Sequence, residues 1–158
     1  MTTKAGSGLA AGTVTVILTT ILLAIGQPAG LLPAGMDLRA MAPLVDREAS
    51  PGLALAAGAL GHCIAGALIG LAYGRFARRF GPVSGILFLL PVWLLLMVVA
   101  LPATGQGFFG LRQGVSLAIG TLLLHVVFGA VMGALARRIE RRYAAHAPAG
   151  GRSGAVSG

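Results

Sequence analysis

Four long stretches of this chain, residues 9–26, 53–73, 83–101 and 115–136, contain no Asp, Glu, Lys or Arg. Each is about the length a helix needs to cross a hydrocarbon core roughly 30 Å thick, which takes about 20 residues. In lipid a spanning segment must pair its own backbone groups, which leaves helices or a closed barrel. The short alternating segments of a barrel are missing. The expected fold class is therefore an all-α membrane protein: four transmembrane helices forming two helical hairpins in parallel orientation. Composition agrees, since 10% of the 158 residues are charged and Asp plus Glu total 4, where a soluble domain carries about a quarter. The organisation read from this is a short N-terminus (1–8), one four-helix domain (9–138) and a basic, disordered tail (139–158).

The first stretch has a rival reading. Lys4, an apolar run and Ala24-Ile25-Gly26 also describe a secretory signal peptide with its cleavage site. Thr13, Thr15, Thr19 and Thr20 are unusual for such a segment; in a membrane helix they can bond to their own backbone or to a neighbour.

Orientation follows from the basic residues. With the N-terminus inside, Lys4, Arg75, Arg78, Arg79, Arg137, Arg138, Arg141, Arg142 and Arg152 fall on one side, and Arg39, Arg47 and Arg112 on the other. The positive-inside rule then predicts a multi-pass protein of the bacterial inner membrane with both termini cytoplasmic. The arginines at helix ends point to anionic headgroups as their partner. A formal net charge of +8 does not signal nucleic-acid binding here, because no basic stripe interleaved with aromatics lies outside the apolar stretches.

An internal repeat joins the second and fourth stretches. His62, Gly66 and Gly70 recur as His125, Gly129 and Gly133, at a constant offset of 63 residues. Spacing by four places His62, Gly66, Gly70 and Gly74 on one helix face, and His125, Gly129 and Gly133 likewise on another. Small residues at that spacing form a glycine-zipper face on which helix backbones approach closely. The histidines should accordingly point into the bundle, each about 15 to 18 Å from the outer end of its helix and so near the midplane.

Such a pair supports three readings. Each imidazole can bond to a Thr, a backbone carbonyl or the other ring, as structural polar residues do. The two can be axial ligands of a haem b or a metal, with glycines making room for the porphyrin. They can also mark a proton or solute pathway, since ionisable residues within the membrane are functional by default. The residues alone call for no cofactor.

Other candidates carry less. Gly105-Gln106-Gly107-Phe108-Phe109-Gly110 matches GxGxxG as a string, but it follows an apolar stretch and no strand precedes it; it reads as a tight turn with Phe108 and Phe109 anchored at the interface. Pro91 should kink the third helix, and Trp93 should fill the bundle. Cys63, the single cysteine, points about 100° from His62 and reads as packing. Asp37, Asp46 and Glu48 read as a solvated loop, with Asp46, Arg47 and Glu48 opening a short interfacial helix. No Ser-His-Asp, HExxH, P-loop or paired-carboxylate arrangement shares a face, so the chain is not expected to be an enzyme.

The repeat, Gly35-Met36-Asp37, the turn between Pro102 and Gly110 and the closing His125-Gly129-Gly133 series resemble small bacterial membrane proteins of unknown function, loosely of the YagU type. That resemblance covers most of residues 9–138 and implies four helices and no reaction. It matches His62, Gly66, Gly70, His125, Gly129 and Gly133 without assigning them roles. The expectation is a structural or accessory membrane protein that packs through glycine faces, as a homo-oligomer or in a larger complex.

Overall fold

In the computed structural model, residues 4–33, 35–39, 48 and 50–146 are described. All of the regular structure among them is helical. Helix α1 is Lys4–Gly26 and α2 is Pro51–Phe76. The third span, α3, is Pro82–Ala103, and α4 is Val115–His146. All four are long and apolar enough to cross a membrane, which fits a multi-pass membrane protein. Asp46, Arg47 and Arg152 lie outside the described residues, and with Asp46 and Arg47 most of the short interfacial helix expected at Asp46 to Glu48.

Backbone chemistry explains the helix ends. Ser50 caps α2, its hydroxyl accepting from Leu53 N at 3.4 Å, with Pro51 at the first position, where a missing N–H costs nothing. Within α3 the hydrogen-bond ladder widens into a π turn at Leu96–Ala100, with Leu101 N donating to Leu96 O. Two prolines flank that turn. Pro91 withholds the amide that Leu87 O would otherwise receive, and Pro102 does the same to Val98 while crowding its carbonyl. The departure from α-helical hydrogen bonding thus lies nearer to Pro102 than to Pro91.

Two boundaries differ from the sequence reading. Helix α1 begins at Lys4 rather than near residue 9, and Ser7 is already buried there. Helix α4 runs to His146, beyond the boundary at residue 138, because Ile139 still packs on a core made by Ala11, Tyr73, Phe80, Leu89, Met132 and Ala136.

Glycine contacts set the helix pairs. A Cβ at Gly70 would lie 2.6 Å from Gly12 Cα, and one at Gly74 would lie 2.5 Å from Lys4 O, so α1 and α2 touch backbone to backbone. A Cβ at Gly66 would strike the Val16 side chain. In the second hairpin a Cβ at Gly129 would lie 2.8 Å from Gly85 O and 2.9 Å from Ile86 Cα, and one at Gly133 would meet Gly81 O. Glycine is required because any side chain would drive the axes apart and forfeit dispersion along the whole contact.

The two hairpins meet through α1 and α4. Near the Lys4 end, Tyr73 joins the connection between α2 and α3: its hydroxyl lies 2.7 Å from Ser84 Oγ, and its ring is 5.3 Å from both Phe80 and Phe88. At the same end Lys4 Nζ donates to Arg78 O at 3.0 Å. At the opposite end a second cluster gathers Met36, Met97, Leu101 and Leu117.

Candidate functional site

Both histidines line one cavity of about 480 Å³ between the helices. Helix α2 delivers His62 and α4 delivers His125, one turn from Gly66 and Gly129 respectively.

Hydrogen bonds fix how each ring is presented. His125 Nδ1 lies 2.8 Å from Thr121 O. A carbonyl only accepts, so Nδ1 carries the proton and Nε2 keeps its lone pair. His62 Nδ1 lies 2.9 Å from Thr20 Oγ1. The Thr20 hydroxyl donates to Val16 O at 2.8 Å, so its single proton is committed and His62 Nδ1 is again the donor. Both neutral rings therefore keep Nε2 as an acceptor. The Thr20–His62 bond also ties α1 to α2, and Cys63 Sγ stands 3.6 Å from the same hydroxyl.

The remaining wall is mostly apolar, with a few placed polar groups. Thr15, Thr19, Thr121 and Gln106 contribute to it. Thr19 Oγ1 donates to Thr15 O at 2.9 Å, and Thr121 Oγ1 donates to Leu117 O at 2.8 Å while accepting from Trp93 Nε1 at 3.1 Å. Thr15 Oγ1 and Gln106 Oε1 are buried with no hydrogen-bond partner. Their residues are 5% and 8% exposed, so neither atom compensates its desolvation by reaching bulk water.

Residues Gly35, Met36, Asp37 and Leu38 form one end of the cavity wall, with Gln106. Met36 and Leu38 are buried; Met36 Sδ would stand 2.9 Å from a Cβ on Gly120, and Leu38 O occupies the space of a Cβ on Gly58. Asp37 is held by Arg39, with Oδ2 3.2 Å from Nη1 and Oδ1 accepting from Arg39 N at 2.9 Å. Towards the Lys4 end the lining stops at Gly12, Ile69, Leu89 and Met132. Beyond them lie Ala11, Tyr73, Phe80 and Ala136, all buried.

The sequence-derived candidates distribute as follows. Gly66, Gly70 and Gly74 face α1, and Gly129 and Gly133 face α3. These faces are occupied inside the chain and are not offered to a partner, because each hairpin consumes its own glycine surface. Arg75, Arg78, Arg79, Arg137, Arg138, Arg141 and Arg142 are exposed at the Lys4 end. Arg75 also lies 5.8 Å from the centroid of the Phe76 ring. Trp93 packs edge-on to Phe109 at 6.0 Å, so Phe109 belongs to the bundle while Phe108 remains exposed. The glycine-rich turn carries positive φ at Gly105, Gly107 and Gly110, and at Phe109 as well.

Two imidazoles could supply axial ligands to a haem b, yet among the described residues no Lys or Arg lines the wall to pair the two propionates. Nor does any group of three or more His, Cys, Asp or Glu come together among the described residues. Thr15, Gln106 and Asp37 line the cavity, although the sequence placed them in the first span, a tight turn and a solvated loop rather than in a site. Thr15 and Thr19, four apart on α1, were the available signal.

No curated protein and no solved structure matches the chain. A family match covers residues 2–147, nearly the whole sequence. The chain belongs to that family, DUF6789, a family of unknown function.

Proposed function

We propose that this protein is an accessory component of the bacterial inner membrane that binds a small molecule inside its four-helix bundle. The observation that carries this reading is the shared cavity: two histidines from different hairpins, each oriented by a hydrogen bond through Nδ1, face a mostly apolar space with a handful of polar groups. Ligand sites have that character. Both termini lie in the cytoplasm in this reading, supported by the cluster of exposed arginines at the end where α1 begins and α4 ends. Kinship with YagU-type proteins rests on the glycine and histidine spacing. The related pattern Gly81/Gly85 in α3 and Gly8/Gly12 in α1 supports an internal repeat of whole hairpins.

The glycines build the container. By holding each hairpin closed they fix the distance between α2 and α4, and with it the geometry of the histidine pair. A conduit is the weaker reading, because among the described residues buried Tyr73 and Phe80 lie beyond the cavity wall on the Lys4 side.

The test is to purify the full chain in mild detergent, extract it with organic solvent and identify co-purifying small molecules by mass spectrometry. Ala65→Phe is the comparison, since Ala65 lines the cavity and is exposed enough for a larger side chain to enter the space without forcing two helices apart. A stoichiometric molecule present in the native protein and depleted in Ala65→Phe is the expected result. Identical extracts from both proteins would refute the binding role.

A further inference from the structure

We infer that the cavity selects a neutral, largely apolar molecule whose head donates hydrogen bonds, an alcohol or phenol rather than an ether, a carboxylate or an amine. The inference rests on the binding role proposed above and specifies its ligand. It follows from an inventory of what the wall leaves unsatisfied. His62 Nε2 and His125 Nε2 are acceptors, because the proton of each ring is committed at Nδ1. Gln106 Oε1 is a carbonyl oxygen, an acceptor without a partner. The hydroxyls of Thr19, Thr20 and Thr121 have spent their protons on backbone carbonyls. Against these three acceptors stand two uncommitted protons, that of Thr15 Oγ1 and the second N–H of Gln106 Nε2, whose first donates to Thr104 Oγ1 at 3.3 Å. Acceptors thus outnumber available donors, and an occupant that completes them must bring donors of its own.

Charge narrows the class further. Among the described residues no Lys or Arg lines the wall, so an anionic head would be buried without a counter-ion. Asp37 is the single carboxylate on the described wall, and Arg39 already neutralises it, so a cationic head would find no free charge either. A neutral head avoids both costs. The apolar body has its place among Leu89, Val92, Leu96, Leu124 and Phe128.

The experiment uses three probes of matched shape, 4-octylphenol, its methyl ether 4-octylanisole and 4-octylbenzylamine, bound to the full-length protein in nanodiscs of phosphatidylethanolamine and phosphatidylglycerol, with partition into empty nanodiscs subtracted. An unsatisfied buried acceptor discriminates strongly, so the phenol should bind about tenfold or more tightly than the ether. With His62 and His125 both replaced by Leu, the phenol-to-ether ratio should fall towards one. Equal affinity of phenol and ether in the native protein would overturn the donor rule while leaving a binding cavity in place. Preference for the amine would overturn neutrality. Failure of all three probes to bind above partition would overturn both the rule and the binding role beneath it.

Discussion

Gly70→Ala tests whether the first hairpin is held by backbone contact. The new methyl carbon would sit 2.6 Å from Gly12 Cα and 3.0 Å from Gly12 N. Both neighbours are backbone, so no side chain can rotate away, and α1 must retreat from 2.6 Å to the 3.4 Å at which such contacts become ordinary, about 0.8 Å. A radial gap of about 0.5–1 Å forfeits a quarter to a half of each dispersion contact, and the loss extends along the neighbouring turns at Gly8, Gly66 and Gly74. Overpacking of this kind costs about 1–3 kcal/mol. Gly61→Ala is the matched control on the same helix, because a Cβ there meets nothing within 4 Å. Titrating SDS into dodecylmaltoside micelles, with fluorescence of Trp93 reporting unfolding, should lower the midpoint for Gly70→Ala and leave Gly61→Ala at or above the native value. Coincident midpoints for the two variants would refute the backbone-contact account.

In the second hairpin Gly129→Ala should behave as Gly70→Ala does, since its Cβ would meet Gly85 O at 2.8 Å; a midpoint equal to that of the native protein in the same titration would count against this pairing. A double-mutant cycle of His62→Leu with Thr20→Val should return a coupling of about 0.6 kcal/mol, the average for hydrogen bonds between membrane helices, and zero coupling would show that Thr20 does not hold the ring. Tyr73→Phe removes the hydroxyl 2.7 Å from Ser84 Oγ and should cost about 0.5–1.5 kcal/mol, checked by the same midpoint. For orientation, cysteines placed at Ser50 and Ala144 in a Cys63→Ala background should divide on intact cells: an impermeant maleimide labels Ser50→Cys at once and Ala144→Cys only after permeabilisation, and the opposite order would reverse the topology.

Much of the architecture was legible because the signal was the absence of something. Runs without Asp, Glu, Lys or Arg mark all four spans whatever their neighbours do. Helix ends were harder, since they depend on tertiary contact: Lys4, Ala5 and Gly8 extend α1 because Gly74 receives them, and Ile139 extends α4 because Ala136 and Met132 present a core to it. The glycine spacing announced close packing but not the partner. A face that fits a neighbouring molecule and a face that fits α1 have the same sequence, and the choice was decided by Gly8 and Gly12, whose spacing of four was present but not singled out. The π turn was hidden for a similar reason, as Pro91 advertises a defect while Pro102 helps set where the ladder widens. The site was half legible. The two histidines followed from the repeat, whereas Thr15 and Gln106 became candidates only when three-dimensional packing left their oxygens without partners.

A gradient in side-chain size along each hairpin accounts for the cavity and for its position. From Lys4 to Gly12, α1 meets α2 through glycine, and Gly81 and Gly85 meet Gly129 and Gly133 in the same way. One to two turns further on, α1 presents Thr15, Val16, Thr19 and Thr20 and α2 presents His62, and α3 passes through its π turn some three to four turns beyond Gly85. At this level the apolar side chains leave the cavity unfilled. The polar groups sit at this level, each histidine held through Nδ1 by a bond that leaves Nε2 on the other side of its ring. Closing the hairpins with glycine at one end is therefore what allows them to stay apart at the other without losing cohesion. On this argument a bulky substitution at Gly70 or Gly129 should disturb ligand binding through the spacing of the histidine pair even though neither glycine lines the cavity.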